Sequence, residues 1–118
     1  MIVGVRDVYY NAQDIRRALG FYRDVLGMRV LSESDHWCML EVGGVRVGLE
    51  STEGKPVSRD RLAGAVLTLK SNDIREDVRR LKSKGVRLLS DIGNYDWGSV
   101  ASFEDSEGNH LKILQDPS

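Results

Sequence analysis

Asp14-Ile15-Arg16, a helical stretch, then Gly27-Met28-Arg29-Val30-Leu31 returns later as Asp73-Ile74-Arg75, a helical stretch, and Gly85-Val86-Arg87-Leu88-Leu89. The two offsets are 59 and 58 residues, so the second helix is one residue shorter. A repeat of this length decides the fold, because each copy is too small to bury its own apolar face well. Two copies sharing a core leave a face between them that suits a ligand.

Outward from each anchor the same elements appear. Val3 to Tyr10 alternates as a strand, with Val8, Tyr10 and Ala12 on one face and Asp7, Tyr9 and Asn11 on the other. Asp14 is a helix N-cap, and Ile15, Ala18, Leu19, Tyr22, Val25 and Leu26 form an apolar stripe closed by Gly27. Strands follow at Met28 to Glu33, Trp37 to Val42 and Val45 to Glu50, the last two joined by the hairpin signal Gly43-Gly44. In the second copy Ala65 to Lys70 is a strand. Asp73 and Glu76 form a capping box, and Ile74, Val78 and Leu81 form the stripe. Strands then fit Arg87 to Leu89, Val100 to Phe103 and His110 to Gln115, with a turn at Asp105 to Asn109. The expected class is α+β: two tandem βαβββ modules forming a curved mixed sheet around a cavity. Module 1 spans about 1–50, a polar linker about 51–62 and module 2 about 63–116, within a single domain of 118 residues.

Composition narrows the function classes. Seventeen basic and 18 acidic residues leave a formal net charge of −1, which argues against nucleic-acid binding. No apolar run is long enough for a membrane-spanning helix, and neither a membrane span nor a signal peptide is expected. The single cysteine, Cys38, excludes an intramolecular disulfide and fits a cytoplasmic protein.

The stretch Asp14-Ile15 through Gly20-Phe21-Tyr22-Arg23-Asp24-Val25-Leu26-Gly27-Met28, its counterpart Asp73-Ile74 through Leu81-Lys82-Ser83-Lys84-Gly85-Val86, and the turn Phe103 to His110 resemble the vicinal oxygen chelate superfamily. That superfamily includes glyoxalase I, extradiol dioxygenases and bleomycin-resistance proteins. Ser106 stands where its turn usually has proline. The resemblance implies the fold and leaves the activity open, since the fold hosts enzymes and binders. It also implies four metal-ligand positions. Asp7 falls at the first, Glu50 at or next to the second, Val66 at the third and Lys112 at the fourth. Val66 has no donor atom and a protonated lysine repels a cation, so a divalent metal is disfavoured though left open, and no cofactor is expected.

In place of a metal, the resemblance brings Asp7, Glu50 and Lys112 together as an ion-paired cluster with candidate catalytic roles: Lys112 for an anionic or carbonyl oxygen, a carboxylate as general base. Trp37 and Met39 alternate onto the presumed cavity face, and Trp97 lies in a loop at the rim, where an aromatic suits stacking or a lid. Tyr9, Thr68 and His110 complete the expected ligand-binding set. The leading expectation is a protein that binds a small planar or amphipathic molecule without metal. The alternative is a glyoxalase-like enzyme, either a metal-dependent lyase, isomerase or dioxygenase or a metal-free acid–base catalyst. A homodimer is expected, because short modules leave sheet edges exposed.

Overall fold

The computed structural model of the chain describes residues 1, 3, 5–57 and 66–117. Two compact units are present, Met1–Val57 and Ser58–Ser118. Part of the expected linker and the start of the expected strand Ala65 to Lys70 lie outside the described residues.

In unit 1, β1 (Val8–Ala12) leads into α1 (Ile15–Gly20), which continues with π-helical winding over Phe21–Val25. β2 (Arg29–Glu33), β3 (Trp37–Val42) and β4 (Val45–Ser51) follow, in the sheet order β1-β4-β3-β2. β1 and β4 run parallel, and the other pairs are antiparallel. Parallel neighbours need a crossover connection, and α1 with the two strands after it supplies one. The Asp14 carboxylate accepts from the Arg17 amide at 3.1 Å, satisfying one of the free donors of the first helical turn. Ile15, Ala18, Leu19 and Tyr22 are buried against the face that carries Cys38, Leu40, Val47 and Leu49. The helix therefore covers one face of the sheet and leaves the other to Tyr9, Trp37, Met39 and Gly48.

β1 is shorter and later than the expected strand. Val3 and Val5 lie before it and are 95% and 87% exposed, so alternation there does not mark a paired strand. The β3–β4 hairpin turns at Gly43 and Gly44, whose φ values of 58° and 85° require left-handed backbone at both positions. Glu41 closes this turn: its carboxylate accepts from the Gly44 amide at 2.7 Å and from Arg29 Nε at 3.2 Å. Those two interactions hold its pKa below the usual value, the Gly44 bond first.

Unit 2 repeats the plan. β5 (Leu67–Lys70) and α2 (Ile74–Ser83) precede β6 (Gly93–Tyr95), β7 (Gly98–Glu104) and β8 (His110–Gln115), in the order β5-β8-β7-β6. β5 and β8 are the parallel pair. Ile74, Val78 and Leu81 are buried, as are Ala101, Phe103, Leu111 and Ile113.

Three local expectations need correction. The capping box forms only by half: Asp73 accepts from the Glu76 amide at 3.2 Å, but Glu76 turns away to Arg79, and the Asp73 amide donates to Ser71 Oγ at 3.0 Å. Arg79 offers Glu76 a charge-assisted, two-pronged partner one turn on, which outcompetes a neutral amide. The expected strand Arg87 to Leu89 is reduced to the single bridge Leu88↔Phe103. Further along the same edge of β7 a strand forms at Gly93–Tyr95, although the sequence places Asn94 and Tyr95 in the loop that holds Trp97.

Glu41 gives a pH prediction. Its depressed pKa means that it adds stability above the ordinary carboxylate range, and that this stability is lost as pH falls through the lowered value. Glu41→Gln should therefore lower the urea midpoint at neutral pH and flatten the acid limb of the midpoint-against-pH curve. An acid limb identical to that of the parent protein would refute this role.

Candidate functional site

The two units place their strands in the same register. Val8 lies six residues before the cap Asp14 and pairs with Val47; Leu67 lies six residues before Asp73 and pairs with Leu111. Asp7 is therefore equivalent to Val66, and Gly48 to Lys112. The four symmetry-equivalent positions hold Asp7, Gly48, Val66 and Lys112. Glu50, expected at or next to the second position, is two residues further along the same face and exposed.

Residues in unit 1 come first. The Asp7 carboxylate, with its side chain 14% exposed, is ion-paired to Arg6 at 2.5 Å. Tyr9, Gly48 and Met39 form one cross-strand row on β1, β4 and β3. Trp37 pairs in register with Glu50, but its indole leans along the strand over Gly48. A Cβ built at Gly48 would lie 2.4 Å from the indole and 3.1 Å from Tyr9. The Tyr9 and Trp37 rings are 5.7 Å apart and tilted by 60°, a favourable aromatic arrangement. Met39 is buried below, while Tyr9 is 53% exposed. This face is an aromatic platform whose lowest point is a glycine. Sequence alternation placed Tyr9, Trp37 and Met39 on one face; it missed Gly48, whose role follows only from the ring above it. Arg46 is opposite Glu41 on the same face and exposed.

The reverse face of the same sheet carries the cysteine. A cavity of about 460 Å³ opens between α1 and the β2–β3 turn, with Ile15, Leu19 and Cys38 among its walls. Burial pushes the Cys38 thiol pKa upward, and its sulfur is 3.8 Å from the Ser34 carbonyl. The thiol form is therefore favoured, and the residue packs as a small apolar group.

Unit 2 gives the equivalent cross-strand row on β5, β8 and β7 as Thr68, Lys112 and Ser102. Val66 and His110 extend the same face. Both ring nitrogens of His110 are buried, and the Glu104 paired with it across the strands is buried and bridged to Arg87 at 3.5 Å. Lys112 is half-buried and, among the described residues, has no ion-pair partner within 4.0 Å. Trp97 occupies the tight turn between β6 and β7 and stacks on Tyr95, with centroids 4.9 Å apart and planes 3° from parallel. Both rings are more than half exposed. The turn Asp105 to Asn109 is buried and self-satisfied: Asp105 accepts from the Glu107 and Asn109 amides at 2.8 Å each.

These positions do not fit a divalent metal. Of Asp7, Gly48, Val66 and Lys112, only Asp7 brings a donor, and Arg6 already holds it. Among the described residues no three His, Cys, Asp or Glu side chains are grouped so as to hold an ion. Among the described residues, too, no helix is long and apolar enough to cross a membrane.

Comparison with known proteins defines the class. Residues 4–113 match the model of the Glyoxalase/Bleomycin resistance protein/Dioxygenase superfamily, and the chain belongs to that superfamily. It is 28% identical over 117 residues to the metallothiol transferase FosB of Staphylococcus haemolyticus, covering 96% of this chain and 84% of the relative. Among solved structures it is similar to a glyoxylase/bleomycin resistance protein/dioxygenase domain from Frankia sp. EAN1pec, at a TM-score of 0.81 and 17% identity, covering 100% and 95% of the two chains. It is also similar to the fosfomycin resistance protein FosX of Listeria monocytogenes, at a TM-score of 0.80 and 14% identity, covering 99% and 94%. The last two likenesses concern the fold alone.

The Gly48 contact is directly testable. Gly48→Ala should drive the indole off the sheet, changing Trp37 fluorescence and near-ultraviolet circular dichroism and costing about 1 kcal/mol or more from overpacking. Unchanged Trp37 signals would mean that the ring does not rest on Gly48.

Proposed function

We propose that this protein binds a small planar or amphipathic molecule on the Tyr9–Trp37–Met39 face of unit 1, without the divalent metal of its superfamily. The observation that carries this reading is the indole of Trp37 lying over Gly48. A metal-ligand side chain at that position would have to occupy the same space. An aromatic platform on a half-buried sheet face suits stacking against a flat ligand.

The comparisons favour an enzyme over a passive binder. The Staphylococcus relative is a metallothiol transferase and aligns along almost the whole chain, so the bound molecule is read as a substrate. A metal-dependent lyase or dioxygenase has less support than a transferase. The relative's name implies a metal, which the donor set of this chain does not fit, and no step is derived through one. In a metal-free route Asp7 is the candidate base and Lys112 the candidate oxyanion partner; Glu50, exposed and off the equivalent position, is the weakest of the three. Thr68, Trp97 and His110 remain candidate contacts, and a cytoplasmic location is the companion proposal.

Three measurements test this reading. Protein purified without chelator should contain no stoichiometric zinc, nickel, manganese or iron, and a ligand screen by thermal shift should give the same hits with and without divalent ions. Trp37→Ala should weaken the best planar hit by about 1 kcal/mol or more. Stoichiometric bound metal would overturn the metal-free reading. Affinity lost in Trp97→Ala but kept in Trp37→Ala would move the site to the β6–β7 turn.

A homodimer is proposed as the working assembly, since β2 and β6, like β1 and β5, are end strands of their sheets among the described residues. Sedimentation at low micromolar concentration should show a species twice the 13.2 kDa chain mass. A 13.2 kDa species alone would refute it.

A further inference from the structure

The row Thr68–Lys112–Ser102 carries polar chemistry that the aromatic platform of unit 1 does not use. The three side chains project from adjacent strands on one face of the unit 2 sheet, directly opposite one another in register. Adjacent strands are about 5 Å apart, so the row spans about 10 Å. Among the described residues, neither the Lys112 ammonium nor the hydroxyls of Thr68 and Ser102 has a hydrogen-bond or ion-pair partner. Ser102 is held beyond the sheet ladder through its backbone: its amide donates to Ser90 Oγ at 3.0 Å and its carbonyl accepts from the Leu89 amide at 2.8 Å. The charged neighbours on this face are already engaged: Glu104 by Arg87 at 3.5 Å, and Lys70, at the far end of β5, by Asp116 at 3.5 Å.

A half-buried lysine with no acid beside it presents an unpaired positive charge that an anion can meet. Two hydroxyls flanking it can each donate one hydrogen bond to the same acceptor. Together they supply a point charge and two neutral donors in a line, which suits an oxygen-rich anion. The equivalent row in unit 1, Tyr9–Gly48–Met39, offers neither charge nor small hydroxyls, so the feature is particular to unit 2 and is not a by-product of the repeat.

We propose that Thr68, Lys112 and Ser102 form an oxyanion-binding site that takes the carboxylate or phosphate group of a small ligand. The proposal rests on the small-molecule reading above and adds the charge of the ligand. Lys112 supplies the attraction; Thr68 and Ser102 orient the oxygens.

The test uses the whole chain and three probes: benzoate, inorganic phosphate and uncharged benzamide. Binding is followed by amide chemical shifts of Thr68, Lys112 and Ser102 and by calorimetry. Benzoate, phosphate or both should shift these amides, and benzamide should not. If only one anion does, the site is assigned to that anion. Lys112→Met should weaken anion binding at least about tenfold, the scale of one charge-assisted hydrogen bond. Lys112→Arg, which keeps the charge, should stay within about threefold of the parent protein. Thr68→Val with Ser102→Ala should lose about threefold or more. Melting curves establish that each variant is folded. Binding unchanged in folded Lys112→Met, no shift with either anion, or benzamide binding as well as benzoate would overturn the proposal. These amides report on unit 2 alone. Failure of the Trp37 platform in unit 1 would therefore leave the result standing, and the reverse also holds.

Discussion

The parallel pairing of the first and last strand in each unit is the constraint on which the rest depends. A parallel ladder cannot be closed by a tight turn, so the chain must leave, cover the sheet with a helix and return through two antiparallel strands. The helix caps at Asp14 and Asp73 set where that excursion starts, and the pairs Val8↔Val47 and Leu67↔Leu111 set where it ends. Because side chains alternate strictly along a strand, this register decides which residues face the helix and which are available for chemistry. A one-residue slip would bury Lys112 under α2 and expose Leu111.

This is why the fold was so legible and the site only partly so. The repeated Asp-Ile-Arg and Gly-x-Arg signals mark helix starts and ends, and helix ends are governed by local chemistry. The Gly43-Gly44 turn is local in the same sense. Tyr9, Trp37 and Met39 could be put on one face because strand alternation is also local. What the sequence could not show was non-local competition. Glu76 had the spacing of a capping residue, but Arg79 was the better partner. Asn94 and Tyr95 looked like loop because the strand they form is short and exposed, held by pairing with β7 rather than by burial. Alignment along the strand puts Glu50 at or next to the second ligand position, whereas the register gives the equivalent position to Gly48. Counting from each cap to its parallel partner would have found Gly48, once the strand pairing was known.

The superfamily relationship and the donor set point in different directions, and the difference is physical. A divalent ion is held by several donors acting at once, so each lost donor removes affinity from the whole set and leaves the others with uncompensated charge. A chain with glycine, valine and lysine at three of four equivalent positions has no gradual route to weak chelation; a lone carboxylate there is a buried charge in need of a cation. Arg6 supplies that cation to Asp7. Lys112 has the converse need, and no described acid meets it. Membership of the superfamily thus carries the architecture, while the charge pattern on each sheet face belongs to this chain. One face presents aromatic surface above a glycine; the other presents an ammonium between two hydroxyls. Stacking and charge attract a molecule without a metal to polarise it, which is why these two surfaces, each within its own unit, are the ones proposed for binding.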